Sequence, residues 1–308
     1  MPRNKVYIDG QAGTTGLQIQ ERLAGRTDIE LLLIDEDKRH DVTERARLMN
    51  EADLVFLCLP DAAAVEAVEL VNNPDTVIID CSTAHRTAWT YGFAELDADH
   101  KQAIQQSKRI ANPGCHASGF ISLVYPLVKS GLLKDDAQLT CFSLTGYTGG
   151  GKKMIADYEG ETKKDNLAPK LYGLSLKHKH LPEMTKITGL KKAPLFVPIV
   201  DDYPRGMLTS VTIAPDMLSR PLDKAGLLQF YRDWYQDGAL VSVAENKESQ
   251  LPANRMEGLD ALEITVSGDE AFLVSATFDN LGKGASGAAI QNMNLVFGLD
   301  ETAGLERK

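Results

Sequence analysis

One cysteine stands in a turn-forming run, Ala111-Asn112-Pro113-Gly114-Cys115-His116-Ala117-Ser118-Gly119-Phe120. Proline fixes φ and lacks an N–H, so Asn112-Pro113-Gly114 continues neither a helix nor a central strand. The apolar stretch Phe120 to Val128 that follows reads as a buried helix. Cys115 is therefore expected at or just before a helix N-terminus, where unpaired N–H groups and the dipole favour thiolate over thiol. That makes it a nucleophile candidate; the competing reading is a small buried hydrophobe, as free cysteines commonly are. A second reactive pair lies in Lys177-His178-Lys179-His180-Leu181-Pro182-Glu183-Met184. Histidines at i and i+2 face opposite ways on a strand and nearly so on a helix. With no third ligand nearby, no metal is expected. Either one facing Cys115 would make a Cys–His pair; otherwise both are solvated histidines on a basic turn.

The elements that must position these groups begin with Lys5-Val6-Tyr7-Ile8-Asp9, a short buried strand. Gly10-Gln11-Ala12-Gly13-Thr14-Thr15-Gly16 and a helical segment from Leu17 follow. Strand, glycine turn and helix form the context in which glycines admit a pyrophosphate to a helix N-terminus. The spacing is GxxGxxG, a variant of the common GxGxxG, and a tight turn without ligand is the alternative. The second strand, Ile29–Ile34, runs into Asp35-Glu36-Asp37-Lys38-Arg39. An acid there suits the ribose hydroxyl of NAD and a basic residue the 2′-phosphate of NADP, so this position leaves the cofactor open. Leu54–Pro60 and Thr76–Asp80 are apolar strands. Asp61–Val68 is a helix with Asp61 as its expected N-cap, and Arg109–Ala111 leads into the cysteine turn. Apolar strands alternating with helices predict a doubly covered parallel sheet, with ligands beyond the carboxyl ends. Pro60, Ser82 and the Cys115 turn are thus expected near one crevice.

The second half has another rhythm. Gln138–Leu144 is strand-like and runs into Thr145-Gly146-Tyr147-Thr148-Gly149-Gly150-Gly151-Lys152-Lys153, read as a mobile glycine loop able to hold an anion. Partly alternating strands at 195–200, 208–213, 261–266 and 271–277, with an amphipathic helix at 223–235, suggest a mixed sheet with one covered face. Asp279 to Gly287 is a last glycine turn, and Ala288–Phe297 a closing helix.

Length and composition bound the function. A chain of 308 residues fits two domains. A net charge of -10 argues against nucleic acid or an anionic membrane surface as partner. No apolar run is long enough to span a bilayer, and the charged start is not read as a secretory leader. Cys58, Cys81, Cys115 and Cys141 are widely spaced, without a CxxC pair. Neither zinc nor a disulfide framework is expected, and a cytoplasmic setting is.

Five stretches together resemble the N-acetyl-γ-glutamyl-phosphate reductases, specifically the shorter, type 2 subfamily. They are Asp9–Gly16, Asp80-Cys81-Ser82-Thr83-Ala84-His85-Arg86, Asn112–Cys115, His178–Glu183, and Lys283–Gly287 with Asn292-Met293-Asn294. The resemblance spans nearly the whole chain. It implies an α/β protein with a Rossmann-type dinucleotide-binding domain (1–114). An α+β catalytic and oligomerisation domain with a mixed sheet, semialdehyde dehydrogenase-like, would follow (115–280), and a C-terminal helix (281–308) would return to the first domain. It implies NADP(H) as cofactor and N-acetylglutamyl phosphate and phosphate as small-molecule partners, with a homodimer or homotetramer as the assembly. Residue by residue, Cys115 matches the nucleophile, and His178 or His180 the acid–base histidine. Gly10, Gly13 and Gly16, with Thr14 and Thr15, match the pyrophosphate turn. Lys38 and Arg39 would meet the 2′-phosphate, and Pro60, Ser82, Asn280 and Gly284 would lie by the cofactor. Arg86, Asn112 and Lys152 are expected substrate contacts. The expected chemistry is a Cys115 thioester formed with loss of phosphate and then reduced. Rival readings are a related aspartate-semialdehyde dehydrogenase, a non-redox Cys–His acyltransferase, and a dinucleotide-binding regulator without catalysis.

Overall fold

A computed structural model describes residues 3–307; Met1, Pro2 and Lys308 lie outside it, and with them part of the charged start and the last residue of the closing segment. The chain divides into two compact units. One comprises the chain up to Pro113 together with Ala285–Leu305, the other Gly114–Gly284 with Glu306 and Arg307.

The first unit alternates strands and helices: β1 (Asn4–Asp9), α1 (Thr14–Leu23), β2 (Ile29–Leu32), α2 (Val42–Glu51), β3 (Leu54–Leu57), α3 (Asp61–Glu69), β4 (Val77–Asp80), β5 (Thr90–Tyr91), α4 (Ala98–Gln106) and β6 (Arg109–Ala111). The sheet order is β2-β1-β3-β4-β6-β5, and every pairing is parallel. Parallel neighbours need crossovers, and these place helices on both faces. The consequence shows in the strands. Val6, Ile8, Phe56 and Ile79 pack into one apolar cluster with Ile19, Leu23 and Ile104. Tyr7, Val55, Leu57 and Ile78, one residue out of phase, pack into another with Leu48, Met49 and Ala64. Hence the strands read as continuous apolar runs. One detail differs from expectation. Asp61 is the first residue of α3 rather than its cap; Pro60 caps, and the Asp61 carboxylate instead accepts from the Thr83 N–H and hydroxyl.

The second unit contains α5 (Cys115–Lys129), β7 (Thr140–Gly146), α6 (Gly151–Glu159), β8 (Lys170–Leu171), α7 (Leu181–Thr188), β9 (Leu195–Asp201), β10 (Met207–Ile213), α8 (Lys224–Trp234), β11 (Val241–Val243), β12 (Leu262–Ser267) and β13 (Phe272–Phe278). Its sheet, β11-β12-β13-β10-β7-β9-β8, mixes parallel pairs (β11 with β12, β7 with β9) with antiparallel ones. Helix α5 lies on this sheet at Gly119, where a Cβ would stand 2.4 Å from Thr209 Oγ1. Pro126 sits inside α5 and withholds the N–H that would bond the Ser122 carbonyl. The Tyr235 hydroxyl donates to that carbonyl at 2.7 Å, and the Tyr231 hydroxyl to Leu123 O at 2.6 Å. The buried helix thus keeps its proline without an orphaned acceptor.

The glycine run expected as a mobile loop is ordered. Tyr147–Gly150 forms a short 3₁₀ turn and α6 begins at Gly151, so Lys152 and Lys153 are exposed residues in the first turn of a helix. The chain's last helix, α9 (Gly287–Val296), follows a π-helical turn at Gly282–Ser286 and belongs to the first unit. Polar bonds fix it there: Arg22 Nε donates to Ser286 Oγ at 3.1 Å and Asn292 Nδ2 to Gly92 O at 2.8 Å. Among the described residues no helix is long and apolar enough to cross a membrane.

Candidate active site

Cys115 opens α5, with Gly114 in extended backbone as the residue before it. The expectation of a helix-terminal thiol holds, and the thiol is partly exposed rather than buried. Gly284 lies against it, since a Cβ there would stand 3.1 Å from Cys115 Cβ and 3.0 Å from Asp279 O. Only glycine leaves that space open.

His178 and His180 come together. Their ring centroids are 4.8 Å apart, and the His180 N–H donates to His178 Nδ1 at 3.2 Å. The i, i+2 argument for opposite faces fails because this segment is neither strand nor helix; it is a turn ending at His180, the residue that caps α7. His180 is buried and His178 half-buried. Glu183, in the first turn of α7 and itself only 1% exposed, brings Oε1 to 4.0 Å from His180 Nε2. Its other oxygen accepts the Gly114 N–H at 3.2 Å. One buried carboxylate therefore ties the histidine turn to the residue preceding the thiol. His178 is held down to about 4, first by burial and then by the adjacent Lys179 charge.

Sequence reading passed over the side chain next to the thiol. His116 is buried, and its ring lies 5.8 Å from both His178 and His180. Its Nδ1 pairs with Ser143 Oγ at 2.6 Å and its Nε2 with Tyr172 OH at 2.5 Å; Ser143 Oγ continues to Thr209 Oγ1 at 2.8 Å. Burial, with the nearby His178 and Lys179, pushes it down to about 3. His116 is thus a neutral imidazole with both nitrogens engaged, a support and not a proton carrier. Burial, with a smaller contribution from Cys115, raises the Tyr172 phenol above its ordinary range. The only signal for His116 was its adjacency to Cys115; Ser143, Thr209 and Tyr172 carry none, because tertiary contact alone assembles them.

A concavity of about 370 Å³ belongs to the first unit. Gly10, Gly13, Arg39, Arg45, Cys58 and Pro60 are among its lining residues. Gly10 has φ +87, and a Cβ on it would stand 2.4 Å from Cys58 O. A Cβ on Gly16 would stand 2.5 Å from Gly10 O. The turn is therefore built of bare backbone ending at the N-terminus of α1, a fit for a pyrophosphate. Beneath it Asp9, 3% exposed, holds Arg45 at 2.7 and 3.1 Å. Thr14 and Thr15 begin α1. Arg39 reaches the cavity while pairing with Glu36; Lys38 pairs with Asp35 at 3.2 Å outside it.

The remaining expected contacts are placed as follows. Ser82 Oγ donates to Asp80 Oδ2 at 2.8 Å, and the same carboxylate meets His85 Nδ1 at 2.7 Å. Arg86, buried, donates through Nε to Asn112 O at 3.0 Å. Asn112 Nδ2 donates to Ala285 O at 2.9 Å, so its amide holds the first unit together. Asn280 belongs to the second unit, bonding Thr148 Oγ1 at 2.9 Å and the Gly206 N–H at 2.9 Å. Lys152 lies exposed on α6. Among the described residues no cluster of metal-ligating side chains occurs.

A parallel-sheet, Rossmann-type unit with a mixed-sheet unit is the fold of the aspartate semialdehyde dehydrogenases. Residues 115–280 match the semialdehyde dehydrogenase dimerisation domain family. Aspartate semialdehyde dehydrogenase II of Vibrio cholerae superposes with TM-score 0.73 at 13% identity, over 96% of this chain and 99% of that one. The enzyme of Francisella tularensis superposes with 0.74 at 14%, over 96% and 100%. Sequence similarity is far higher to N-acetyl-γ-glutamyl-phosphate reductase 2 of a Nostoc species, 42% identical over 99% of this chain and 100% of the relative. The N-acetyl-γ-glutamyl-phosphate reductase of Sinorhizobium medicae is 44% identical over 95% and 98%. The chain belongs to the N-acetyl-γ-glutamyl-phosphate reductase family.

Proposed function

We propose that this protein catalyses the NADPH-dependent reductive dephosphorylation of N-acetyl-L-glutamyl 5-phosphate to N-acetyl-L-glutamate 5-semialdehyde, a step of arginine biosynthesis in the cytoplasm. The carrying observation is Cys115 at the start of α5, with the His178–His180 turn held to Gly114 by Glu183. The Cys115 thiolate attacks the acyl phosphate carbonyl and releases phosphate, leaving a thioester on Sγ; one hard acyl step becomes two easier ones. The α5 N–H groups favour the thiolate and would stabilise an oxyanion formed at the carbonyl it attacks. His180, backed by Glu183, takes the thiol proton and returns it to the alkoxide formed on reduction; the C–S bond of the resulting thiohemiacetal then breaks, releasing the semialdehyde and restoring the Cys115 thiol. His178, held near 4, stays neutral at working pH and serves as its packing and hydrogen-bonding neighbour.

The nicotinamide dinucleotide, when bound, supplies the hydride that reduces the thioester. The Gly10–Gly16 turn, with Thr14 and Thr15, suits its pyrophosphate, and Pro60 a neighbouring wall. Arg39 and Arg45 favour the 2′-phosphate of NADP in that cavity; Lys38 contributes at most long-range charge. Ser82, Asn280 and Gly284 are assigned to cofactor binding, and Arg86, Asn112 and Lys152 to the substrate side. The domain assignment is 1–114 for the dinucleotide, 115–280 for catalysis and assembly, and 281–308 as the returning segment. A homodimer or homotetramer is supported by one sheet face carrying exposed Phe142, Leu195 and Leu273 on β7, β9 and β13. The test is Cys115→Ser with the acyl phosphate. Turnover is expected to fall to background while NADPH still binds; retained turnover would refute the covalent route.

A further inference from the structure

Two thiols take no part in the chemistry above. Cys58 and Cys81 directly follow β3 and β4, whose parallel register ends with Leu57 opposite Asp80. One step further the register sets Cys58 opposite Cys81, on strands ~4.8 Å apart, inside the Cα separation a disulfide spans. The Cys81 N–H donates to Leu57 O at 2.9 Å, so the alignment persists beyond the strands. Both side chains also lie on the same face. They pack against the cluster of Phe56 and Ile79, each two residues back, and not against that of Leu57 and Ile78. The Cys81 side chain, followed by burial, pushes the Cys58 thiol well above its ordinary range. Neither is sealed in the core, whereas Cys141 is fully buried.

What sits on this pair gives it consequence. The Cys58 carbonyl is the atom that a Gly10 Cβ would strike at 2.4 Å, and the Cys58 N–H donates to Asp9 O at 2.8 Å. Cys58 also lines the cavity with Gly10 and Gly13. The backbone that a Cys58–Cys81 bond would draw sideways is the floor of the glycine turn.

We propose that Cys58 and Cys81 form an oxidation site in which a low-molecular-weight disulfide converts the dithiol to an intrachain disulfide, deforming the Gly10 turn and weakening dinucleotide binding. One thiolate attacks the small disulfide, forming a mixed disulfide and releasing one small thiol. The second protein thiolate attacks the protein-bound sulfur and releases the other small thiol. Two protein thiols are oxidised, one small disulfide is reduced, and both protons leave with the released thiols. Excess small thiol drives the same exchange backwards and restores both protein thiols. The effect on binding rests on the dinucleotide reading above; bond formation does not.

The test treats the full-length Cys115→Ser protein, which lacks the reactive nucleophile, with oxidised glutathione. A non-reducing peptide map is expected to show the peptides of Cys58 and Cys81 joined, with a loss of two hydrogens and Cys141 unmodified. NADPH affinity, followed by fluorescence, is expected to fall by about tenfold or more and to return with dithiothreitol. In Cys115→Ser/Cys81→Ala the same treatment is expected to leave affinity unchanged. Glutathione adducts without a crosslink, unreacted thiols, or a crosslink with unchanged affinity would each overturn the proposal. Failure of the reduced protein to bind NADPH would instead remove the dinucleotide reading, with the crosslink still read by the map.

Discussion

Replacing His116 by glutamine tests whether the imidazole beside the thiol is a neutral support. The folded protein holds His116 down to about 3, while an unfolded histidine titrates near 6.5. Between these values the unfolded chain carries a proton that the folded chain lacks. The contribution is therefore fully present above about pH 6.5 and is lost as pH falls. The slope approaches about 1.4 kcal/mol per pH unit, which amounts to about 2 kcal/mol between pH 7 and pH 5. Glutamine removes this titration and disturbs the bonds to Ser143 and Tyr172, at a cost of about 1–3 kcal/mol at pH 7. The parent should thus exceed His116→Gln by that margin at pH 7, and the gap should shrink by about 2 kcal/mol at pH 5. Urea denaturation at the two pH values reads it, and titrations common to both proteins cancel in the difference. A gap of equal size at both pH values would refute the neutral, buried assignment.

Two further substitutions probe the first unit. Gly10→Ala places a methyl 2.4 Å from Cys58 O at φ +87 and should cost roughly 2–5 kcal/mol. Gly13→Ala, whose nearest contact would be 3.3 Å, should leave the melting temperature within a few degrees yet weaken NADPH binding; equal melting temperatures for the two variants would contradict this. Arg45→Leu leaves the Asp9 carboxylate without its two-pronged partner. It should destabilise by about 3 kcal/mol, and Asp9→Leu added to it should recover part of the loss in urea denaturation.

The first unit was largely legible because each of its segments declares itself locally. A strand buried on both faces must be apolar along its length, as Leu54–Leu57 and residues 77–79 are, and Gly10 sits where only glycine avoids the Cys58 carbonyl. Cys115 was legible for the same reason, since a proline–glycine turn ahead of an apolar helix fixes a helix start. What escaped depends on contacts made across the chain. The histidine turn looked divergent while strand and helix were the only templates considered, and it converges because it is a turn that ends at His180, just before α7. Glycines 149 to 151 signalled mobility, but Tyr147 stacks on Tyr158 at 4.9 Å and anchors α6 to the turn before it. The His116–Ser143–Thr209 chain spans three elements with no shared spacing, so no periodicity could reveal it.

The proposed reaction joins a redox step to acyl transfer through phosphate. Its most direct measurement is nicotinamide absorbance in the reverse direction, with purified protein, N-acetylglutamate semialdehyde, NADP⁺ and phosphate. NADPH formation is expected to require phosphate and to be abolished in Cys115→Ser. NADPH formation that proceeds equally without phosphate, or that survives loss of the Cys115 thiol, would contradict it.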